Sequence, residues 1–150
     1  MIAPSSTMPN LFILRGIPGS GKSTYAKSQE GAVICSADDF FIQPDGTYAY
    51  DKSKIQLAHD FCFKKCHDAL HAGEQTVIID NMNASAWEIS PYMMLGRNFG
   101  YTVEILNFPC DNKVGATRNI HNVPMKDIEH TAALLEKTKL PKALVQKYMC

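Results

Sequence analysis

Four stretches of the chain are apolar at consecutive positions rather than at alternate ones: Leu11–Arg15 (LFILR), Ala32–Ser36 (AVICS), Thr76–Asp80 (TVIID) and Thr102–Phe108 (TVEILNF). Strands that are apolar on both sides must be covered on both faces, as in a parallel sheet clothed by helices. Between them the pattern changes to helical spacing. Ile55, Ala58, Cys62, Cys66, Ala69 and Leu70 recur every three or four residues, which predicts a long amphipathic helix capped by Ser53 and stopped by Gly73. A shorter helix is expected over 22–29. Another opens on Ser85 and Glu88 as a capping box and runs to about Asn98 before Gly100, with Pro91 set to bend or shorten it and Trp87 and Tyr92 packing it onto the sheet. Helices over 111–120 and 125–137 flank the hinge-like sequence HNVP, and the tail LPKALVQKYMC reads as a short helix with an exposed Cys150. Strands alternating with helices predict an α/β fold, a doubly wound parallel sheet of four to five strands with helices on both faces. Residues 1–9 read as a flexible tail, and 10–150 as a single domain.

Charge changes this picture little. The 15 basic and 15 acidic residues cancel, which argues against a chain built mainly to coat nucleic acid. The balance is uneven, at −3 over residues 1–110 and +3 over 111–150, so a polyanion would lean on the C-terminal part. Five cysteines, an odd number, and an N-terminus without a basic and apolar leader point to a reducing, cytoplasmic setting and to no disulfide partner. No apolar run approaches the roughly 20 residues of a membrane span. His59, Cys62, Cys66, His67 and His71 lie close together, but their spacing follows no common zinc pattern.

The turn after the first strand carries the clearest chemistry. GIPGSGKS (16–23) fits G-x-x-x-x-G-K-[ST], with a strand before it and a helix after it, the context the pattern requires. Glycines at 16, 19 and 21 let successive N–H groups turn inward around a phosphate chain, and the helix that follows presents its positive end to the same anion. Gly16, Pro18, Gly19, Ser20, Gly21, Lys22, Ser23 and Thr24 are therefore the expected nucleotide-binding residues of a P-loop fold. Lys22 would reach the β- and γ-phosphates, and the Ser23 hydroxyl would ligate Mg²⁺. Asp80, closing the third strand, is the candidate for the far side of the metal, with a loop or helix cap as its other reading.

The sequence VICSADDFF (33–41) places two acids at the end of the second strand. In a P-loop domain that end opens onto the phosphates, so Asp38 or Asp39 could orient an acceptor hydroxyl and take its proton. Capping the short FFIQ segment is the structural alternative. Phe40 and Phe41 read as core plugs or as a stacking platform for a base. The excursion FIQPDGTYAYDKS carries Pro44, Asp45 and Gly46, the chemistry of a turn, and its length suggests a role. Asn81 and Asn83 read as loop stabilisers.

LRGIPGSGKST, SADDFF, AHDFC, VIIDNMNASAWEISPY, GYTVEIL and RNIHNVP together resemble the polynucleotide-kinase-like P-loop domain of the NEDD4-binding protein 2 and 2-like family, over about residues 10–137. The resemblance extends more weakly to phage-type polynucleotide 5′-hydroxyl kinases and to the kinase-like domain of the brain cyclic nucleotide phosphodiesterase. It implies transfer of phosphate from ATP, with Mg²⁺, to the 5′-hydroxyl of an oligonucleotide. By position it implies Lys22 and Ser23 on the phosphates, Asp38 as base, and Arg118 from a lid near 112–125 as the arginine that meets the transferred group. Two positions depart from the pattern. Phe41 stands where active kinases often carry an acceptor-holding arginine, and Asn81 and Met82 replace an acid and a hydroxyl. A small-molecule or nucleoside kinase on the same machinery, or a module that binds ATP without transfer, are the alternative readings.

Overall fold

The computed structural model describes residues 8–141 and 146–149. Most of the expected N-terminal tail, and Cys150, lie outside the described residues. Five parallel strands form one sheet: β1 (Asn10–Arg15), β2 (Val33–Cys35), β3 (Thr76–Asp80), β4 (Thr102–Asn107) and β5 (Gln146–Tyr148), in the spatial order β2-β3-β1-β4-β5. β1 is central, pairing Leu11 with Val77 on one side and with Val103 on the other. Its carboxyl end therefore opens at the middle of the sheet, where doubly wound folds bind ligands.

The unbroken apolar runs have the expected cause. Leu11, Ile13, Val77, Ile79, Val103 and Ile105 face one layer, which also holds Cys62, Cys66, Ile89 and Tyr92 from the helices α2 (Ile55–His71) and α3 (Ala86–Asn98). Leu14, Ile78 and Leu106 face the other, against Ala26 of α1 (Lys22–Ser28) and Phe108. Two further helices, α4 (Asn112–Arg118) and α5 (Met125–Lys137), lie between β4 and β5 in the chain. Among the described residues no helix is long and apolar enough to cross a membrane, and Cys35, Cys62, Cys66 and Cys110 are free thiols.

Four details differ from the sequence reading. The cap before α2 is Asp51, whose carboxylate accepts from the Ser53 amide at 3.0 Å and closes a 3₁₀ turn over Lys52–Lys54; α2 itself starts at Ile55. Trp87 does not pack onto the sheet. It is 74% exposed, because α3 turns Ile89, Tyr92, Met93 and Gly96 inward and leaves position 87 on the outer face. Pro91 does not shorten α3, which runs through it to Asn98. The tail is not a helix at 146–148: Gln146–Tyr148 forms the edge strand, pairing Leu106 of β4 with Lys147.

Candidate functional site

The P-loop leaves β1 at Gly16 and enters α1 at Lys22. Gly19 and Gly21 have φ of +80° and +100°, a left-handed backbone that glycine adopts without strain. Lys22 is buried, 8% exposed, and its ammonium donates to the carbonyls of Gly16 (2.9 Å) and Ile17 (2.8 Å) and to Ser20 Oγ (3.3 Å). The loop thus curls around its own cation. Burial lowers the Lys22 pKa to about 8 even though Asp80 and then Asp38 act to raise it, so the site holds a cation at a cost that an anion would relieve.

Ser23 Oγ donates to Asp80 Oδ2 at 2.8 Å, joining the start of α1 to the end of β3. Burial pushes the Asp80 carboxyl up, against the opposing pull of the Ser23 hydrogen bond and of Lys22. A hydroxyl and a carboxylate are the hard oxygen donors that Mg²⁺ takes, and they stand beside the lysine of a phosphate cradle, so these residues fit that ion.

Asp38 lies in the 3₁₀ turn Ala37–Phe41 that follows β2, a turn capped by Ser36, whose hydroxyl accepts from the Asp38 amide. The turn is pinned to β3 from below. Asn81 Oδ1 accepts from the Ala37 amide at 2.9 Å, and Asn81 Nδ2 donates to Cys62 Sγ at 3.4 Å. Above it, Tyr48 OH donates to Asp38 Oδ1 at 3.2 Å, and His121 Nε2 stands 3.5 Å from Asp38 Oδ2. Tyr48 and His121 stack with ring centres 4.1 Å apart. Phe41 is a core plug, 3% exposed, with the edges of Phe40, Tyr48 and Tyr50 around it. Arg118 is exposed on the last turn of α4.

Sequence reasoning missed three contributors. Gly115 lies at the close approach of α4 to the P-loop: a Cβ there would fall 2.7 Å from the Pro18 carbonyl oxygen, and one on Gly19 would overlap the Gly115 carbonyl. Arg15, buried at the end of β1, donates to the carbonyls of Asn83 (2.8 Å) and Ala84 (2.7 Å) and to Asn107 Oδ1 (3.1 Å), tying the ends of three strands together under the loop. Asn83, with φ +49°, returns a hydrogen bond to the Leu14 carbonyl at 2.7 Å. Tyr48, third, was one residue of a turn-rich loop. A cavity of about 320 Å³ adjoins the P-loop, running from Ile17 past Phe108 and Pro109 to Leu135 of α5.

A glycine-turned loop on the central strand, a buried lysine and a serine–aspartate pair place the chain among P-loop proteins, and residues 11–137 match the family described as AAA domain. The chain belongs to that family. Within it, this domain is P-loop kinase-like. It is 35% identical over 126 residues to NEDD4-binding protein 2 of Homo sapiens, an alignment that takes in 79% of this chain and 7% of that protein. A chain of the Pnkp1/Rnl/Hen1 RNA repair complex shares the family domain's fold with a TM-score of 0.71 at 23% identity, over 95% of this chain and 52% of that one. An unliganded sugar kinase from Janibacter sp. HTCC2649 does so with a TM-score of 0.62 at 17% identity, over 95% and 84%. At such identities the two structures speak for the fold alone.

Proposed function

We propose that this domain is an ATP-dependent phosphotransferase of polynucleotide 5′-hydroxyl kinase type. The observation that carries the reading is a buried lysine in a P-loop that feels two carboxylates, Asp80 and Asp38, from the ends of two other strands. One acid has a hydroxyl partner of the kind a metal site uses; the other stands free of the loop.

In this reading the amides of residues 16–24 hold the phosphates of ATP, and Lys22 trades its loop carbonyls for phosphate oxygens. Mg²⁺, when bound by Ser23 and Asp80, would neutralise charge shared by the β- and γ-phosphates. Asp38 orients the acceptor hydroxyl and takes its proton as the new oxygen–phosphorus bond forms and the bond to ADP breaks. Arg118 reaches the transferred group when the segment 112–125 acts as a lid. The cavity beside Ile17, Phe108 and Leu135, apolar on those sides, takes the base of the donor. Identity of 28% over 123 residues to a putative bifunctional polynucleotide kinase/RNA ligase of Autographa californica nuclear polyhedrosis virus supports an oligonucleotide acceptor.

A small hydroxyl acceptor is the second reading. Phe41, buried where an acceptor-holding arginine is expected, favours it. Labelled ATP with a 5′-hydroxyl oligonucleotide, or with sugars and nucleosides, separates the two. Asp38→Asn should lower kcat by about 10²–10⁴-fold with nucleotide binding retained. Binding of ATP with no transfer to any hydroxyl, unchanged in Asp38→Asn, would overturn both and leave a nucleotide-binding module.

A further inference from the structure

Tyr48 and His121 meet over Asp38 from distant parts of the chain. Tyr48 sits in the excursion after β2, where Ile42 and Tyr48 form an antiparallel bridge. His121 belongs to the loop between α4 and α5, three residues beyond Arg118. The rings form a short pile with a firm base and a loose top: Phe41 is buried, its edge meets Tyr48 at 6.1 Å, and His121 lies on Tyr48 at 4.1 Å with 29° between the planes. His121 is partly open to solvent, its side chain 31% exposed, and its neighbour Ile120 is 78% exposed. The loop keeps its own shape, since Asn119 bonds the His121 amide at 3.0 Å and the Val123 carbonyl at 2.9 Å. What joins it to the excursion is one ring stack, and to Asp38 one partly exposed contact at 3.5 Å, both weak enough for a ligand ring to displace.

We propose that Tyr48 is the seat of the acceptor's terminal nucleobase, and that His121 occupies this seat in place of the base until an acceptor arrives. The inference rests on the phosphotransferase reading and adds the chemical class of the acceptor. The hydroxyl edge of Tyr48 bonds Asp38 directly, so a flat ring laid on Tyr48 lies beside the carboxylate and can be turned to bring its sugar toward it. Stacking is indifferent to which base it is, because each has a π-face. A hexose offers no such face. The grip on the acceptor thus passes from the absent arginine at position 41 to an aromatic ring seven residues later.

The test uses the full chain and a single-stranded oligonucleotide with a free 5′-hydroxyl and 2-aminopurine as its 5′-terminal base. Titrated without ATP, the wild type should quench the fluorophore; Tyr48→Phe should keep the quenching and Tyr48→Ala should lose it. With ATP, replacing the 5′-terminal base by an abasic site should raise the acceptor KM about 5- to 150-fold in the wild type, and by less than about 2-fold in Tyr48→Ala. His121→Ala should lower the KM for the base-bearing acceptor, since the competing ring is gone. Quenching that persists in Tyr48→Ala, no quenching in the wild type, or equal use of abasic and base-bearing ends would overturn the proposal. Transfer without quenching sinks the base seat and spares the kinase reading. Quenching without transfer to any acceptor does the reverse.

Discussion

Replacing Gly115 with alanine sets two opposing effects against each other at a single methyl group. Alanine in a helix interior is about 0.8–1.0 kcal/mol better than glycine, so α4 taken alone would gain. The added Cβ, however, would fall 2.6 Å from Ile17 Cδ1 and 2.7 Å from the Pro18 carbonyl oxygen. The isoleucine tip can rotate away at about 0.5–1.5 kcal/mol. The carbonyl is backbone, and it moves only if the P-loop or the whole of α4 moves. Overpacking of this kind costs about 1–3 kcal/mol, so the net change in stability runs from near zero to a loss of about 2 kcal/mol. The larger effect falls on the ligand. A loop displaced by a few tenths of an ångström no longer aims its amides together, and a loss of about 1.4 kcal/mol in binding is already tenfold in Kd. Thermal melts paired with titration of a fluorescent ATP analogue measure both quantities. Ala116→Gly, one residue along, weakens the same helix without adding an atom to the contact and should leave nucleotide affinity within about twofold. A Gly115→Ala protein that melts higher and binds nucleotide as tightly as the wild type would refute the close packing of α4 on the P-loop.

Other expected outcomes follow from the same geometry. Lys22, with its pKa lowered to about 8 against an ordinary 10.5, has shed a proton in the folded state that the unfolded chain still holds between those two values. Stability from this group therefore rises with pH across that window and carries its full penalty, about 3 kcal/mol, below it. Relative to Lys22→Met, the nucleotide-free wild type should accordingly gain about 3 kcal/mol of stability between pH 8 and 10.5, and the variant should not bind ATP; a stability difference independent of pH would contradict this. Arg15→Met leaves the Asn83 and Ala84 carbonyls without their buried donor and should cost about 2–5 kcal/mol in chemical denaturation. Trp87→Ala should change stability by no more than about 0.5 kcal/mol, where a core tryptophan would cost several times that.

What the sequence revealed and what it hid divide along physical lines. The inner strands were legible because the central positions of β1 and β3, Leu11–Leu14 and Val77–Ile79, are covered on both faces and are all apolar, and the P-loop because its backbone angles restrict the spelling from Gly16 to Ser23. β5 was not legible: QKY is an edge strand held by backbone pairing to β4, and such pairing leaves no mark on side-chain type. Trp87 misled because a large aromatic is read as core, whereas the phase of α3 is set by Ile89, Tyr92 and Met93. Gly115, Arg15 and Tyr48 escaped for one shared reason. Each matters through a neighbour 68 to 98 positions away, and glycine in a helix, arginine at a strand end and tyrosine in a loop are each ordinary in isolation. Asp38 was legible as a residue, but its partners His121 and Tyr48 were not, since no periodicity links a turn at 48 to a loop at 121.

The sheet order carries a consequence for how the site comes into being. β1 and β2, the first two strands made, do not touch in the finished sheet; β1 pairs with β3 and β4, and β2 with β3 alone. A chain emerging from the ribosome thus exposes the whole P-loop motif before it can form a single strand pair, since the first partner begins at Thr76. Fragments ending before that point hold the phosphate-binding sequence without a sheet to shape it. Contacts this distant in sequence close slowly, and the approach of Gly115 to the loop closes after them. Nucleotide binding therefore reports completed assembly of the domain rather than possession of the motif, and a pulse-labelled chain should first be retained on immobilised ATP only after about residue 118 has left the exit tunnel.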